Sequence, residues 1–277
     1  MIKVNGEIIK AGKFPDGTLL LKEDVKSINY VTAFAKIEWF FENNEELVTL
    51  IFLTKHLRAH GVKDIFLFMP YIPNARQDRV KNSEDVFTLK YFTDIINYLN
   101  FDKVQVLDPH SSVSAALIDN VEIRSPKNYI ETVIFRTLDR CNLNWSTLGD
   151  ELLMFYPDEG AMKRYSDMIS LPYAFGIKKR NWKTGAIEGL DVAGSVDQIA
   201  NKKILIVDDI CSKGGTFYHS AKKLKELGAK EIYLYVTHCE NTVLEGELLT
   251  SGLIKKMYTT DSIFTKEHEK IEVIELW

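Results

Sequence analysis

The chain alternates between short apolar runs and segments in which apolar residues recur at helical spacing. In the first half, residues 64–70 (DIFLFMP) and 103–108 (KVQVLD) are apolar runs, and residues 87–99 place an apolar side chain at every fourth position. The runs predict buried strands, and the four-residue spacing predicts an amphipathic helix between them. The polar stretch 71–85 predicts a loop that leads into this helix.

The second half repeats this pattern with a stronger signal. Residues 203–208 (KILIVD) are rich in β-branched side chains and predict a strand. Residues 217–227 predict a helix that ends at Gly228, and residues 231–237 (EIYLYVT) predict the next strand. Alternating strands and helices predict parallel strands joined by right-handed crossovers.

The length of 277 residues fits two domains of roughly 100–150 residues each. Residues 122–126 separate the two strand–helix series, so we place the domains at 1–124 and 125–277. The predicted fold is α/β, with two domains that are each a parallel sheet flanked by helices.

Composition and charge exclude several classes of protein. The net charge of −4 disfavours a nucleic-acid-binding protein, which usually carries a clustered basic excess. No apolar run approaches the roughly 20 residues that span a bilayer, and the first residues lack a signal-peptide layout. Three widely spaced cysteines predict neither a disulfide framework nor a zinc site. A cytoplasmic protein with no membrane partner is predicted.

The most informative segment is residues 204–216 (ILIVDDICSKGGT), in which two carboxylates follow a buried strand and a glycine-bearing loop leads into a helix. Parallel sheets bind ligands at the carboxyl ends of their strands, and a helix N-terminus favours a phosphate. The carboxylates are suited to hold ribose hydroxyls or a metal ion. The candidate sugar-phosphate-binding residues are Asp208, Asp209, Ser212, Lys213, Gly214, Gly215 and Thr216.

This segment resembles the phosphoribosyl-pyrophosphate loop that phosphoribosyltransferases share with ribose-phosphate pyrophosphokinases. It is not a Walker A loop, because no GxxxxGK[ST] sequence is present. Residues 71–79 (YIPNARQDR) resemble the PYxxYARQDR stretch of the pyrophosphokinases, which simple phosphoribosyltransferases lack. That resemblance implies that Arg76 and Gln77 help to bind ATP.

Two shorter motifs flank this stretch. Residues 14–17 (FPDG) resemble the FxDGE motif, whose aromatic residue stacks on adenine from a neighbouring subunit, and this implies ATP contacts for Phe14 and Asp16. Residues 108–110 (DPH) resemble the DLH motif, which implies that His110 lies by the ATP phosphates and a magnesium ion.

Two more motifs follow in the second half. Residues 157–164 (PDEGAMKR) resemble the PDxGGxxR segment, which implies that Asp158 serves the metal and the ribose. Residues 178–180 (KKR) fall where the family carries a mobile catalytic loop, which implies catalytic roles for Lys178 and Arg180. The motifs occur in family order from residue 14 to residue 216, so the chain resembles a ribose-phosphate pyrophosphokinase.

The resemblance implies an enzyme that transfers pyrophosphate from Mg-ATP to the anomeric hydroxyl of a phosphorylated ribose and releases AMP. The implied partners are ATP and the sugar phosphate, the implied cofactor is Mg²⁺, and the implied assembly is a homo-oligomer. Magnesium and a Lys/Arg pair would neutralise the charge that develops during transfer.

The chain departs from the family pattern at three places. Thr18 replaces the acid of FxDGE, and Glu84 lies near an expected arginine. Ser212-Lys213 replaces the family's Asp-Thr, which makes the loop more positive by about two charges by residue type. A more positive loop would suit a diphosphate, so ADP-ribose is an alternative acceptor to ribose 5-phosphate, with a product for NAD synthesis.

Two other readings remain open from the sequence. A phosphoribosyltransferase would use the same loop, but the ARQDR and DPH segments argue against it. A non-catalytic regulatory homologue should have lost its metal and Lys/Arg residues, yet Asp158, Lys178 and Arg180 are all present.

Overall fold

The computed structural model describes residues 1–22, 34–138, 145–180 and 187–276. The chain divides into two compact units, Met1–Ser125 (the first unit) and Pro126–Trp277 (the second unit). Each unit is an α/β layer structure with a sheet rich in parallel strands, which confirms the predicted fold class. Among the described residues, no helix combines the length and the hydropathy needed to cross a membrane.

The first unit contains a six-stranded sheet, a separate hairpin and three helices. Its elements in chain order are β1 (Ile2–Val4), β2 (Glu7–Ile8), β3 (Ala11–Lys13), β4 (Leu19–Leu21), β5 (Phe34–Trp39), α1 (Glu45–Ala59), β6 (Asp64–Phe68), α2 (Thr88–Tyr98), β7 (Lys103–Leu107), α3 (Ser112–Leu117) and β8 (Val121–Arg124). The sheet order is β2-β1-β5-β6-β7-β8, in which β5 to β8 are parallel and β1 is antiparallel to both of its neighbours.

The apolar pattern explains how this sheet is covered. In β5 every second side chain is buried, ending with Trp39, so one face of the strand supplies the core. Helix α2 buries Leu89, Phe92 and Ile96, which share one face at helical spacing. The predicted helix at 87–99 and the strands at 64–70 and 103–108 are therefore confirmed to within one or two residues.

The second unit contains a seven-stranded sheet. Its elements are α4 (Lys127–Thr137), α5 (Trp145–Glu151), β9 (Leu152–Tyr156), α6 (Glu159–Tyr165), β10 (Tyr173–Arg180), β11 (Ile187–Gly194), β12 (Lys203–Cys211), α7 (Gly215–Glu226), β13 (Glu231–Cys239), β14 (Lys256–Thr260) and β15 (Ile271–Ile274). The order is β11-β10-β9-β12-β13-β14-β15, and only the pairing of β10 with β11 is antiparallel among these described strands. All five residues of β9 are buried, as expected for a strand covered on both faces.

Two local expectations differ from the structure. The strand predicted at 203–208 continues to Cys211, because Ile210 and Cys211 stay in register with His238 and Cys239 of β13. The segment Lys178–Arg180, expected on a loop, forms the end of β10 and pairs with β11. In both places a neighbouring strand continues the backbone ladder past polar residues that interrupt the apolar pattern.

Candidate active site

The carboxyl ends of β9 and β12 meet at one edge of the second sheet. The parallel register pairs Ile206 with Phe155, so Asp158 and Asp208 follow at the same edge. Asp158 is the N-cap of α6, where its Oδ1 accepts the backbone N–H of Ala161 at 3.0 Å. The cap fixes this carboxylate at the strand end, where ligands of parallel sheets bind.

Three carboxylates and one guanidinium lie together at this edge. Asp209 is buried, and its Oδ2 is 3.3 Å from Nη1 of Arg164 on α6. Asp208 is partly exposed, and its Oδ1 accepts the backbone N–H of Asp209 at 3.0 Å. Burial, followed by the charge of Asp209 and then that of Asp158, raises the pKa of Asp208 well above its ordinary value. A cation or a set of hydroxyl donors beside Asp208 would relieve this repulsion.

The segment 212–216, which we call the phosphate loop, connects β12 to α7. Gly214 has φ +80°, and a Cβ there would lie 2.9 Å from Cδ2 of Leu248. Gly215 begins α7, and a Cβ there would meet no atom within 4 Å. The space beside Gly215 is therefore open at the N-terminus of α7, the end of a helix that favours an anion.

Gly246 packs directly against the backbone of the phosphate loop. A Cβ at Gly246 would lie 1.9 Å from the backbone carbonyl oxygen of Lys213, so only glycine permits this approach. The side chain of Lys213 reaches the same segment, with Nζ 3.0 Å from Oε2 of Glu245. Ser212 and Thr216 are half-buried on either side.

The corresponding edge of the first sheet carries the ATP-binding candidates. Asp78 is buried and accepts from Nε and Nη2 of Arg79 at 2.7 and 2.9 Å. The hydroxyl of Ser111 also donates to Asp78, which links the segment after β6 to the segment after β7. The Arg79 hydrogen bonds, and to a lesser degree the Ser111 bond, hold the pKa of Asp78 well below its usual range.

The predicted ATP-contact residues near Asp78 differ in their surroundings. Oε1 of Gln77 accepts the hydroxyl of Thr88 at the start of α2, 2.8 Å away, so Gln77 helps to shape the segment. Arg76 and His110 are exposed at the same edge of the first unit. Asp108, the first residue of the DPH motif that ends at His110, adopts φ +42°.

The hairpin of β3 and β4 presents the FPDG turn. Oδ1 of Asp16 accepts the backbone N–H of Thr18 at 3.0 Å and its hydroxyl at 2.7 Å, which lowers the pKa of Asp16. Thr18, found where the family motif has an acid, is thus used within the turn. The side chain of Phe14 is 48% exposed beside it, which leaves the ring available for stacking.

The structure brings together Asp158, Asp208, Asp209 and the phosphate loop in the second unit, and Arg76, Gln77 and His110 in the first. The side chains of Lys178 and Arg180 lie outside the described residues. Within the described ranges, no group of three or more His, Cys, Asp or Glu side chains is arranged so that it could hold a metal ion.

Sequence reasoning missed three residues at this site. Arg164 stood in the quoted 157–164 segment, which was a signal for a role beside the acids, but its pairing with Asp209 depends on the strand register. Glu245 and Gly246 contact the phosphate loop from about 30 residues downstream, and no sequence motif indicated them.

Comparison with known proteins identifies the family. The family model described as "Phosphoribosyl transferase domain" matches residues 163–269. The ribose-phosphate pyrophosphokinase of Bradyrhizobium diazoefficiens is 29% identical over 80% of this chain and 68% of its own length. That of Bacillus caldolyticus is 30% identical over 83% of this chain and 70% of its own.

A solved structure has the same fold. The phosphoribosylpyrophosphate synthetase from Mycobacterium smegmatis aligns with a TM-score of 0.76 and 20% identity, over 97% of this chain and 86% of that one. The sequence relatives and this fold support the family that the motifs predict. The chain belongs to the ribose-phosphate pyrophosphokinase family.

Proposed function

We propose that this protein transfers the β,γ-pyrophosphate of ATP to the 1-hydroxyl of ribose 5-phosphate, forming phosphoribosyl pyrophosphate and AMP. The observation that carries the proposal is the joining of Asp158, Asp208 and Asp209 with the phosphate loop at one sheet edge, in a chain of this family. The 1-hydroxyl oxygen forms a bond to the β-phosphorus and loses its proton. The bond from that phosphorus to the α–β bridging oxygen breaks, and AMP leaves.

The second unit would hold the sugar phosphate. Asp208 and Asp209 would accept hydrogen bonds from ribose hydroxyls, and the ion pair with Arg164 orients Asp209. The first turn of α7 and the open space at Gly215 suit the 5-phosphate. Such fixed positioning accounts for much of the catalysis in phosphoryl transfer.

The carboxylates also fit the implied magnesium ion. Asp158 and Asp208 supply the oxygen ligands that Mg²⁺ prefers, and Mg²⁺ commonly binds through one or two carboxylates plus substrate phosphates. The ion would neutralise charge on the transferring group. Burial, and after it the charges of Asp209 and Asp158, raises the pKa of Asp208, and a bound cation would compensate for both effects.

The first unit would hold ATP. Arg76 and His110 are exposed and polar, as phosphate contacts require, and Gln77 would fix their segment and reach the nucleotide. Phe14 and Asp16 would contact adenine from a second copy, which makes the enzyme a homo-oligomer. His110 would lie near the phosphates and the metal, and Lys178 and Arg180 would neutralise charge on the leaving AMP.

ADP-ribose is the second candidate acceptor. The observation that favours it is the cationic Lys213 in the phosphate loop, which would suit a diphosphate. Glu245 opposes this, because its carboxylate offsets the charge of Lys213 at 3.0 Å. We therefore place ribose 5-phosphate first and the NAD-directed reaction second, with the enzyme in the cytoplasm in either case.

The test is AMP release from Mg-ATP with ribose 5-phosphate and ADP-ribose supplied separately, each product confirmed by mass. We expect turnover with ribose 5-phosphate, abolition by a chelator, and a loss of at least about a hundredfold in Asp208→Asn. Turnover with ADP-ribose alone would transfer the proposal to the second acceptor. No AMP release with either acceptor would overturn both.

A further inference from the structure

We propose that Glu245 is a specificity-determining residue of the phosphate loop. Its carboxylate pairs with Lys213 when no ligand is bound, and the phosphate group of the sugar substrate takes its place. This inference rests on the proposed function, because it takes the phosphate loop as the sugar-phosphate site. Glu245 lies outside the motifs that indicated the family, and Lys213 is a departure from the family pattern within one of them.

The geometry ties the two residues together through backbone as well as side chains. Glu245 ends the 3₁₀ turn Asn241–Glu245, and Gly246 follows directly against the carbonyl of Lys213. The Nζ–Oε2 distance of 3.0 Å is that of a hydrogen-bonded ion pair. Because the backbone contact fixes where both side chains begin, the pair is a local feature of the loop.

The ion pair between Lys213 and Glu245 is weak enough for a bound phosphate to replace Glu245. The side chains of Lys213 and Glu245 are 67% and 61% exposed, and exposed ion pairs are held weakly. A phosphate monoester carries a charge of about −1.5 to −2 at neutral pH, against −1 for a carboxylate. It also gains the N–H groups of the first turn of α7, which Glu245 does not use in any described hydrogen bond. A phosphate monoester should therefore displace Glu245 from Lys213.

When no ligand is bound, the charge of Glu245 therefore offsets the charge of Lys213 at the phosphate loop. The lysine adds positive charge for a bound phosphate, while Glu245 penalises anions too weakly charged to compete with it. This selects for phosphate monoesters over singly charged phosphodiester groups. Removing the Glu245 charge should therefore tighten anion binding to the phosphate loop. If Glu245 served only to hold Lys213 in place, its removal would instead weaken anion binding.

The experiment measures binding of ribose 5-phosphate and of inorganic phosphate by calorimetry to the full chain. We expect Glu245→Gln to lower both Kd values about fivefold at low ionic strength, the effect of removing one unit charge a few ångströms away. The gain should shrink at about 0.2 M salt, where the Debye length falls below 8 Å. Glu247→Gln is the matched control, since it removes the same charge from an exposed position two residues away, and its Kd values should change less than about twofold.

A double-mutant cycle isolates the exchange. Lys213→Met should raise Kd about tenfold, and in that background Glu245→Gln should change Kd less than about twofold, because an unpaired exposed carboxylate turns to solvent. The inference is overturned if Glu245→Gln matches Glu247→Gln, if it weakens binding, or if its gain persists without Lys213. Its failure is distinct from failure of the proposed function. A wild-type chain without AMP release that still shows Glu245-dependent phosphate binding supports the inference alone.

Discussion

The two sheet edges both collect acidic motif residues, but they place them in opposite electrostatic settings. In the first unit, Asp78 is buried against Arg79 and Ser111, and its pKa is lowered. In the second unit, burial and then the charges of Asp209 and Asp158 raise the pKa of Asp208. An acid whose pKa is lowered stabilises the fold, whereas one whose pKa is raised destabilises it. The comparison separates an acid that supports the loops from one held ready for a ligand.

The largest expected effect tests the backbone contact between Gly246 and the phosphate loop. In Gly246→Ala the new methyl would lie 1.9 Å from the carbonyl oxygen of Lys213, so backbone must move. We expect a loss of about 3 kcal/mol in the free energy of unfolding, measured by urea denaturation, and a sugar-phosphate KM raised at least about tenfold. Gly215→Ala is the control for the unfolding free energy alone, since its methyl meets no protein atom within 4 Å but would enter the space assigned to the 5-phosphate. A Gly246→Ala protein with wild-type stability and KM would show that the phosphate loop does not depend on this contact.

The next effect sets the two neighbouring acids against each other. Asp209→Asn removes the charge partner of Arg164 and should cost about 2 kcal/mol in unfolding free energy. Asp208→Asn removes a largely buried charge and its repulsion by Asp209 and Asp158, so the variant should be more stable than wild type at pH 7 while activity collapses.

The pH dependence of stability tests the direction of the Asp208 effect. Because folding raises the pKa of Asp208, wild-type stability should fall relative to Asp208→Asn as pH rises above about 4. Urea midpoints at pH 4 and pH 7 measure this. A destabilised Asp208→Asn protein at pH 7 would mean that Asp208 is structural, as Asp78 is.

A smaller effect sharpens the other side of the comparison. Asp78→Asn should lose about 1 kcal/mol at pH 7, because it weakens the hydrogen bonds from Arg79 and Ser111. Folding lowers the pKa of Asp78, so this contribution is present above about pH 4 and is lost as pH falls. Wild type and variant should therefore converge in stability in acid, as followed by circular dichroism. A constant difference across pH would exclude a charge effect.

The smallest effect on stability is expected at the hairpin turn. Phe14→Ala removes a ring that is 48% exposed, so the unfolding free energy should change by less than about 0.5 kcal/mol. If the ring stacks on adenine, KM for ATP should still rise about tenfold. Ile8→Ala, 54% exposed on β2, is the matched control and should leave KM unchanged. Equal effects of the two variants on KM would remove Phe14 from the nucleotide site.

The four strands and two helices predicted from local pattern are all present, because each signal lies within one element. The helix predicted at 87–99 is Thr88–Tyr98, and the strand predicted at 231–237 is Glu231–Cys239. The errors fall where polar residues continue a strand. At Asp208–Cys211 and Lys178–Arg180 the ladder is completed by β13 and β11, partners that a pattern along the chain does not reveal.

By itself the sequence determined the α/β class, the motif order, and the candidate residues near the strand ends, because apolar periodicity and motif spacing are properties of short segments. Only the tertiary structure decided which charges meet. It placed Arg164 beside Asp209, set Gly246 against Lys213, and gave Asp78 and Asp208 opposite pKa shifts. These outcomes depend on distances between segments far apart in the chain, and Coulomb interactions and steric contact are functions of distance rather than of sequence position.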